Sequence, residues 1–145
     1  MLSTQNYGDK TYFSNSENYY EKSIVKNIIE NEFLPSLKIS VSSKGVNTEK
    51  LSARIISVDD IRKILNVSSS VEPTDIEINS SYKWLFETGS YWTNGHSGNF
   101  NSVYIVESWG TFGYISEDMA GSGLTSGGNK FYVRPVIETT TENIK

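Results

Sequence analysis

The first fifteen positions are mostly polar, and only the stretch Lys10-Thr11-Tyr12-Phe13 allows a short strand. Tyr20, Ile24, Ile28, Ile29 and Phe33 then recur on one helical face. They predict a helix over 17–33, with Ser16 as its cap, Glu17 in its first turn and Pro35 ending it. Residues 38–50 are polar and turn-rich around Gly45. Leu51, Ala53 and Ile55 alternate as in a strand. Ser57 with Asp60 resembles a capping box and opens a short helix over 58–66, whose apolar stripe is Ile61, Ile64 and Leu65. Residues 67–81 read as a loop, and from Lys83 onward the pattern is β. The segment 102–118 predicts a hairpin turning at Trp109-Gly110, and 119–129 a Gly/Ser-rich loop. The last strand, KFYVRPVIE over 130–138, alternates but contains Arg134 and Pro135. Proline donates no ladder hydrogen bond, so Pro135 marks an edge or the end of a pairing.

Helix, strand, helix and then a run of strands implies an α+β fold with an antiparallel sheet. The expected organisation is one domain over 1–145, with a polar N-terminal segment (1–15) and a polar tail (139–145). A chain of 145 residues is long enough for one substantial core. Its 12% aromatic content is concentrated in nine Tyr, six Phe and three Trp. Together with frequent Ser, Asn and Gly, this suits a β-rich protein with many turns.

Charge excludes two partner classes. The formal net charge is −4, and no Lys or Arg occurs between Lys83 and Lys130. Nucleic-acid binding needs a basic surface that displaces counterions, so nucleic acid is not an expected partner. A polybasic membrane anchor is missing for the same reason. No apolar run reaches the ~20 residues of a membrane span, so insertion by this segment is not expected. With no cysteine, disulfides and thiolate metal sites are excluded. The N-terminus has no apolar signal core; a natural start and a trimmed export segment both fit.

Several segments fall in a recognisable order: LSARIISVDDIRKIL, KWLFETGSYWT, SVYIVESWGTFGY and FYVRPVIE. The set resembles a family of bacterial domains of unknown function with C-type-lectin-like architecture. The matching pieces are Arg54–Asp60, Trp84-Leu85, Tyr91-Trp92, Val103–Gly110 and the terminal Val133–Ile137. Ser23, Ile24, Asn31 and Phe33 resemble the family's early helix, and the likeness covers roughly residues 17–138. Three features depart from the family pattern. Tyr132 replaces a glycine, Thr93-Asn94 replaces Leu-Arg-Ser, and the strand ahead of the first helix reads as short or missing. The resemblance implies two helices flanking a twisted antiparallel sheet. It also implies a surface, pilin-like or phage-tail setting, hence an extracellular, cell-surface or virion location. The implied role is non-enzymatic binding or adhesion toward a protein or glycan, with no cofactor. The alternatives are the globular head of a pilin-like subunit and a phage tail receptor-binding domain.

Candidate residues follow from chemistry and position. Arg134 lies in an apolar strand, where a guanidinium must find acceptors; the expected role is structural, paired with an acidic or carbonyl group under the sheet and fixed there, rather than anion or sugar recognition. Trp84 and Trp92 are expected in the core for their large apolar area. Trp109 lies at a hairpin tip and is the leading contact residue, followed by Phe112 and Tyr114. Asn94 and His96, the only histidine, lie in a polar loop expected over 93–101. No nucleophile–base pattern surrounds His96, so no catalytic residue is expected. Glu72–Asp75 resembles the Glu-Pro-Asn calcium motif of some lectins but precedes Trp84, and its partner motif is absent. Glu107, Glu117 and Asp118 are too scattered for calcium, so no metal site is expected. The predicted variable face comprises the loops at 93–101, 109–112 and 119–129.

Overall fold

The computed structural model of the protein describes residues 2–14, 19–97, 102–115 and 129–143. Its elements are strand β1 (Tyr7–Thr11), helix α1 (Ile24–Ile28), a π-helical turn (Ile29–Phe33) and helix α2 (Leu34–Val41). Strand β2 (Ser52–Ile55) and helix α3 (Val58–Leu65) follow. The remaining strands are β3 (Tyr91–Ser97), β4 (Ser102–Val106), β5 (Phe112–Ile115), β6 (Phe131–Val133) and β7 (Pro135–Glu138). The class is α+β. One five-stranded sheet has the order β1-β6-β3-β4-β5, and β2 and β7 form a separate two-stranded ribbon. The main sheet is mixed rather than antiparallel throughout, because β6 pairs with β3 in parallel through Tyr132 and Tyr91. No helix of the described residues is long and apolar enough to cross a membrane.

The first helix departs from expectation at both ends. Ser16 and Glu17 lie outside the described residues. The cap is Ser23, whose Oγ accepts from the Lys26 N–H at 2.9 Å. Helical structure then continues past Pro35 to Val41. Proline lacks an N–H, and its ring crowds the carbonyl four residues back. Here the backbone widens into a π turn just before it, and the Leu34 N–H reaches the Ile29 carbonyl five residues back. After a 3-10 turn over Ser42–Lys44, the helix stops at Gly45, whose φ of 73° favours a residue without a Cβ. The polar stretch from Lys38 to Lys44 is therefore helical rather than loop.

The second helix follows its sequence signal. Ser57 Oγ accepts from the Asp60 N–H at 3.0 Å, and Asp60 Oδ2 accepts from the Ser57 N–H at 2.9 Å. Asn66, with φ 57°, closes α3 in the left-handed conformation. The N-terminal segment is part of the sheet, since β1 pairs antiparallel with β6. The strand ahead of the first helix is thus present. Residues 67–85, expected as loop and then strand, hold two 3-10 turns, Pro73–Asp75 and Ser80–Leu85. Ile76, Ile78 and Leu85 from this region are buried, which ties it to the core.

The final strand is two strands in two sheets. Phe131–Val133 belongs to the main sheet, and Pro135–Glu138 pairs with β2 from Ile55↔Pro135 to Ser52↔Glu138. Arg134 is the changeover. Pro135 is the first residue of its strand, a position that tolerates the missing donor. The Arg134 side chain is buried but forms no carboxylate ion pair among the described residues. Its Nε donates to the Ser3 carbonyl at 2.8 Å, and its guanidinium lies 5.4 Å from the centre of the Tyr91 ring. Of the two acceptors expected, an acidic group or a carbonyl, the structure supplies the carbonyl, with an aromatic face beside it in place of an ion pair. Burial pushes the Arg134 pKa below the usual arginine range, with opposing contributions from Tyr91 and Glu87. Burial also pushes the Tyr91 phenol up to about 12, against the pull of Arg134.

Two apolar clusters cover the two faces of the main sheet. Trp92, Val103, Ile105 and Val133 meet Phe13, Val25, Ile29, Ala53 and Ile55 on one side. Tyr91, Val106 and Phe112 meet Ile56, Val58, Ile61, Ile76, Ile78, Leu85 and Val136 on the other. The alternation along β3 and β4 divides these sets. Trp92 is fully buried, as expected; its indole N–H donates to the Thr11 carbonyl at 2.8 Å.

Candidate functional site

An irregularity in β3 builds the main polar cleft. Trp92 pairs with Ile105 and His96 with Val103, so four steps along β3 oppose two along β4. A bulge of this kind bends the strand and re-aims its side chains. Two hydrogen bonds fix it. The Thr93 hydroxyl donates to the Tyr104 carbonyl at 2.7 Å, and the Asn94 N–H donates to the Ile56 carbonyl at 2.8 Å. Thr93 turns inward and is fully buried, whereas Asn94 and His96 are exposed. At Gly95 an added Cβ would lie 2.5 Å from Val58 Cγ2. Glycine there allows the first turn of α3 to sit against the bulge.

The resulting cleft has a volume of about 310 Å³. Ser57, Asp59 and Arg62 of the α3 segment form one wall, Asn94, His96 and Tyr104 the other, and Glu72 with Pro73 closes an end. Arg62 is held in place by Asp59 (Nη1–Oδ1, 2.8 Å) and by the Val71 carbonyl (Nη2, 2.6 Å). Its buried Nε has no acceptor among the described residues. Aromatic rings continue the cleft outward. Tyr114 is register partner to Tyr104, and their rings meet edge to face at 6.5 Å. Tyr19 stacks on His96 with ring centres 4.5 Å apart. Tyr19 and Tyr114 are 48% and 54% exposed, so both present ring surface to solvent. The site thus combines flat faces with an amide, a carboxylate pair and a guanidinium. This chemistry suits non-covalent recognition of a polar ligand with some apolar surface.

The residues singled out in the sequence separate. Asn94 and His96 reach the cleft, on a bulged strand rather than in a loop, and Tyr114 joins them through Tyr104. Trp109, 68% exposed, lies in the turn beyond the Val106–Phe112 pair, at the other end of the β4–β5 hairpin. Phe112 is buried in the core and presents no contact surface. Gly110 shapes that turn: its φ is 96°, and an added Cβ would lie 2.8 Å from the Ile78 carbonyl. Trp84, expected in the core, is 43% exposed. It sits in a 3-10 turn, where positions three apart share a side; Tyr82 and Leu85 face inward and leave Trp84 outside.

Most of the predicted loop at 119–129, with Glu117 and Asp118, lies outside the described residues. Among the described residues no cluster of His, Asp and Glu could hold a metal ion. Glu72 and Pro73 belong to the cleft wall instead. Sequence reasoning missed Tyr19, Arg62 and Tyr104. The only signal for Tyr104 is its position between Val103 and Ile105, which sends it to the opposite face. Comparison with protein-family models, curated proteins and solved structures finds no match to this chain, so the functional reading rests on its own geometry.

Proposed function

We propose that this chain is a non-enzymatic binding or adhesion module, displayed on a surface or secreted, on a C-type-lectin-like scaffold. The cleft between α3 and the β3 bulge is its recognition site, and its ligand is a glycan or a protein segment. The observation that carries this reading is the convergence of Asn94 and His96 on the braced β3 bulge with Tyr104 and exposed Tyr114 of the neighbouring strands and with Tyr19. Rigid strands that hold polar groups beside ring faces favour recognition, because little side-chain freedom is lost on binding. Sugars fit such a site by laying apolar C–H faces on rings while their hydroxyls meet the amide and charged groups.

The test is a glycan-array and surface-extract screen of wild type beside Tyr114→Ala, Asn94→Ala and Trp109→Ala. Capture weakened at least about tenfold by the first two substitutions and unchanged by the third supports the cleft. Loss with Trp109→Ala alone moves the site to the hairpin tip. No capture by folded wild type turns the reading toward a structural subunit, such as a pilin-like head.

A further inference from the structure

Helix α3 has a cleft on each flank, and no described residue lines both. Asp59 and Arg62 face the recognition cleft, whereas Asp60, Lys63 and Ile64 line a second cleft of about 410 Å³. That volume falls within the roughly 300–1,000 Å³ of small-molecule sites. The second cleft is built differently. Ile56, Ile64, Val136 and Leu2 give it an apolar floor, and Trp84 forms an aromatic wall.

The charges at its rim are unequal in commitment. Arg54 Nη1 pairs with Asp60 at 2.6 Å, and its Nε pairs with Glu138 at 2.9 Å. Asp60 is further held by the Ser57 N–H. The Lys63 ammonium is exposed and has no ion-pair or hydrogen-bond partner among the described residues. The cleft therefore offers an apolar interior, one ring face and one uncommitted positive charge.

We infer that this second cleft binds a small amphipathic anion: an apolar body, ring-bearing or aliphatic, carrying a single carboxylate or sulfonate. The body lies along Trp84 over Ile56, Ile64 and Val136, and the anionic group meets Lys63. A compact polyanion is disfavoured, since it would leave the floor wet and bring charge toward Asp60 and Glu138. A neutral apolar compound would bind without the Lys63 contribution.

A matched pair of dyes tests the inference. The anion is 8-anilinonaphthalene-1-sulfonate, and the neutral counterpart is N-phenyl-1-naphthylamine, which keeps the rings without the sulfonate. Wild type should give saturable one-site fluorescence with both. Lys63→Met keeps the apolar stem and should weaken the anionic dye about fivefold, the upper range for an exposed ion pair, while leaving the neutral dye unchanged. Trp84→Ala should weaken both dyes, and Trp84→Phe should weaken them less. Circular dichroism melts confirm that each variant is folded. Absence of saturable binding overturns the inference, as does binding indifferent to both positions, or Lys63→Met weakening both dyes equally. Sedimentation of the dye-free protein covers a rival occupant: a dimer abolished by Trp84→Ala would assign the cleft to a second copy of the chain. None of these outcomes depends on Asn94, His96 or Tyr114, so the recognition cleft stands or falls separately.

Discussion

Single residues carry much of the stability here, and their chemistry fixes how each responds to change. Trp92 fills the core between Phe13 and Phe131, with ring centres 5.3 and 4.9 Å away, and also holds β1 through Thr11. Trp92→Ala should cost about 3–5 kcal/mol, read by urea denaturation. Asp60 responds to pH. Burial alone would raise its pKa, but Arg54 and the Ser57 N–H hold it below the usual carboxylate range. Its folded value is thus lower than its unfolded value of about 3.9. The stability it contributes is fully present above that unfolded value and is lost as pH falls through the folded one. Wild type should therefore exceed Asp60→Asn in melting temperature at pH 7, with the gap closing below about pH 4. Ser57, Asp60 and Trp92 were legible in the sequence because their roles depend on near neighbours or on bulk. Arg134 was half legible: burial followed from the strand pattern, but its acceptor, the Ser3 carbonyl, is 131 positions away.

Among the elements, the β3 bulge governs the recognition cleft through Gly95. Gly95→Ala should cost about 1–3 kcal/mol by overpacking against Val58. Combining it with Val58→Ala should recover part of that loss in a double-mutant cycle, because the two side chains compete for one space. Equal and additive costs would mean that the helix and the bulge are not in the contact described. The β pattern after Lys83 reached the start of β3, but the polar run from Thr93 read as a loop, and no local signal gave the bulge, since register depends on which residues face each other across β4. The first helix teaches a similar lesson. Proline is a strong stop signal in sequence, yet a π turn placed ahead of Pro35 lets the helix continue to Val41.

For the whole molecule, the α+β class could be read from element order, because hydrophobic periodicity reports which faces are buried. The split of the last strand was half legible: Pro135 signalled the end of a pairing, but nothing local says that the chain goes on to pair with β2 in a second sheet. Function was the least legible level. A cleft gathers residues 57 to 104 from a helix, a turn and two strands, and only the fold makes them neighbours. The two clefts beside α3 predict two independent ligand responses. A glycan or peptide that occupies the recognition cleft should leave the dye affinity of the Trp84 cleft unchanged in a competition titration. Strong mutual exclusion would show that both report one site.

The changeover at Arg134 has a consequence for biosynthesis. Among the described residues, 131–138 supply the strand between β1 and β3 and the only ladder partner of β2. While the ribosome is still making this segment, β1 and β2 have no partner to pair with. A chain truncated before residue 131 should remain open to protease, whereas one that includes residues 131–138 should be protected. The pairings of β1 and β2 are thus long-range contacts that form only after residues 131–138 have been made.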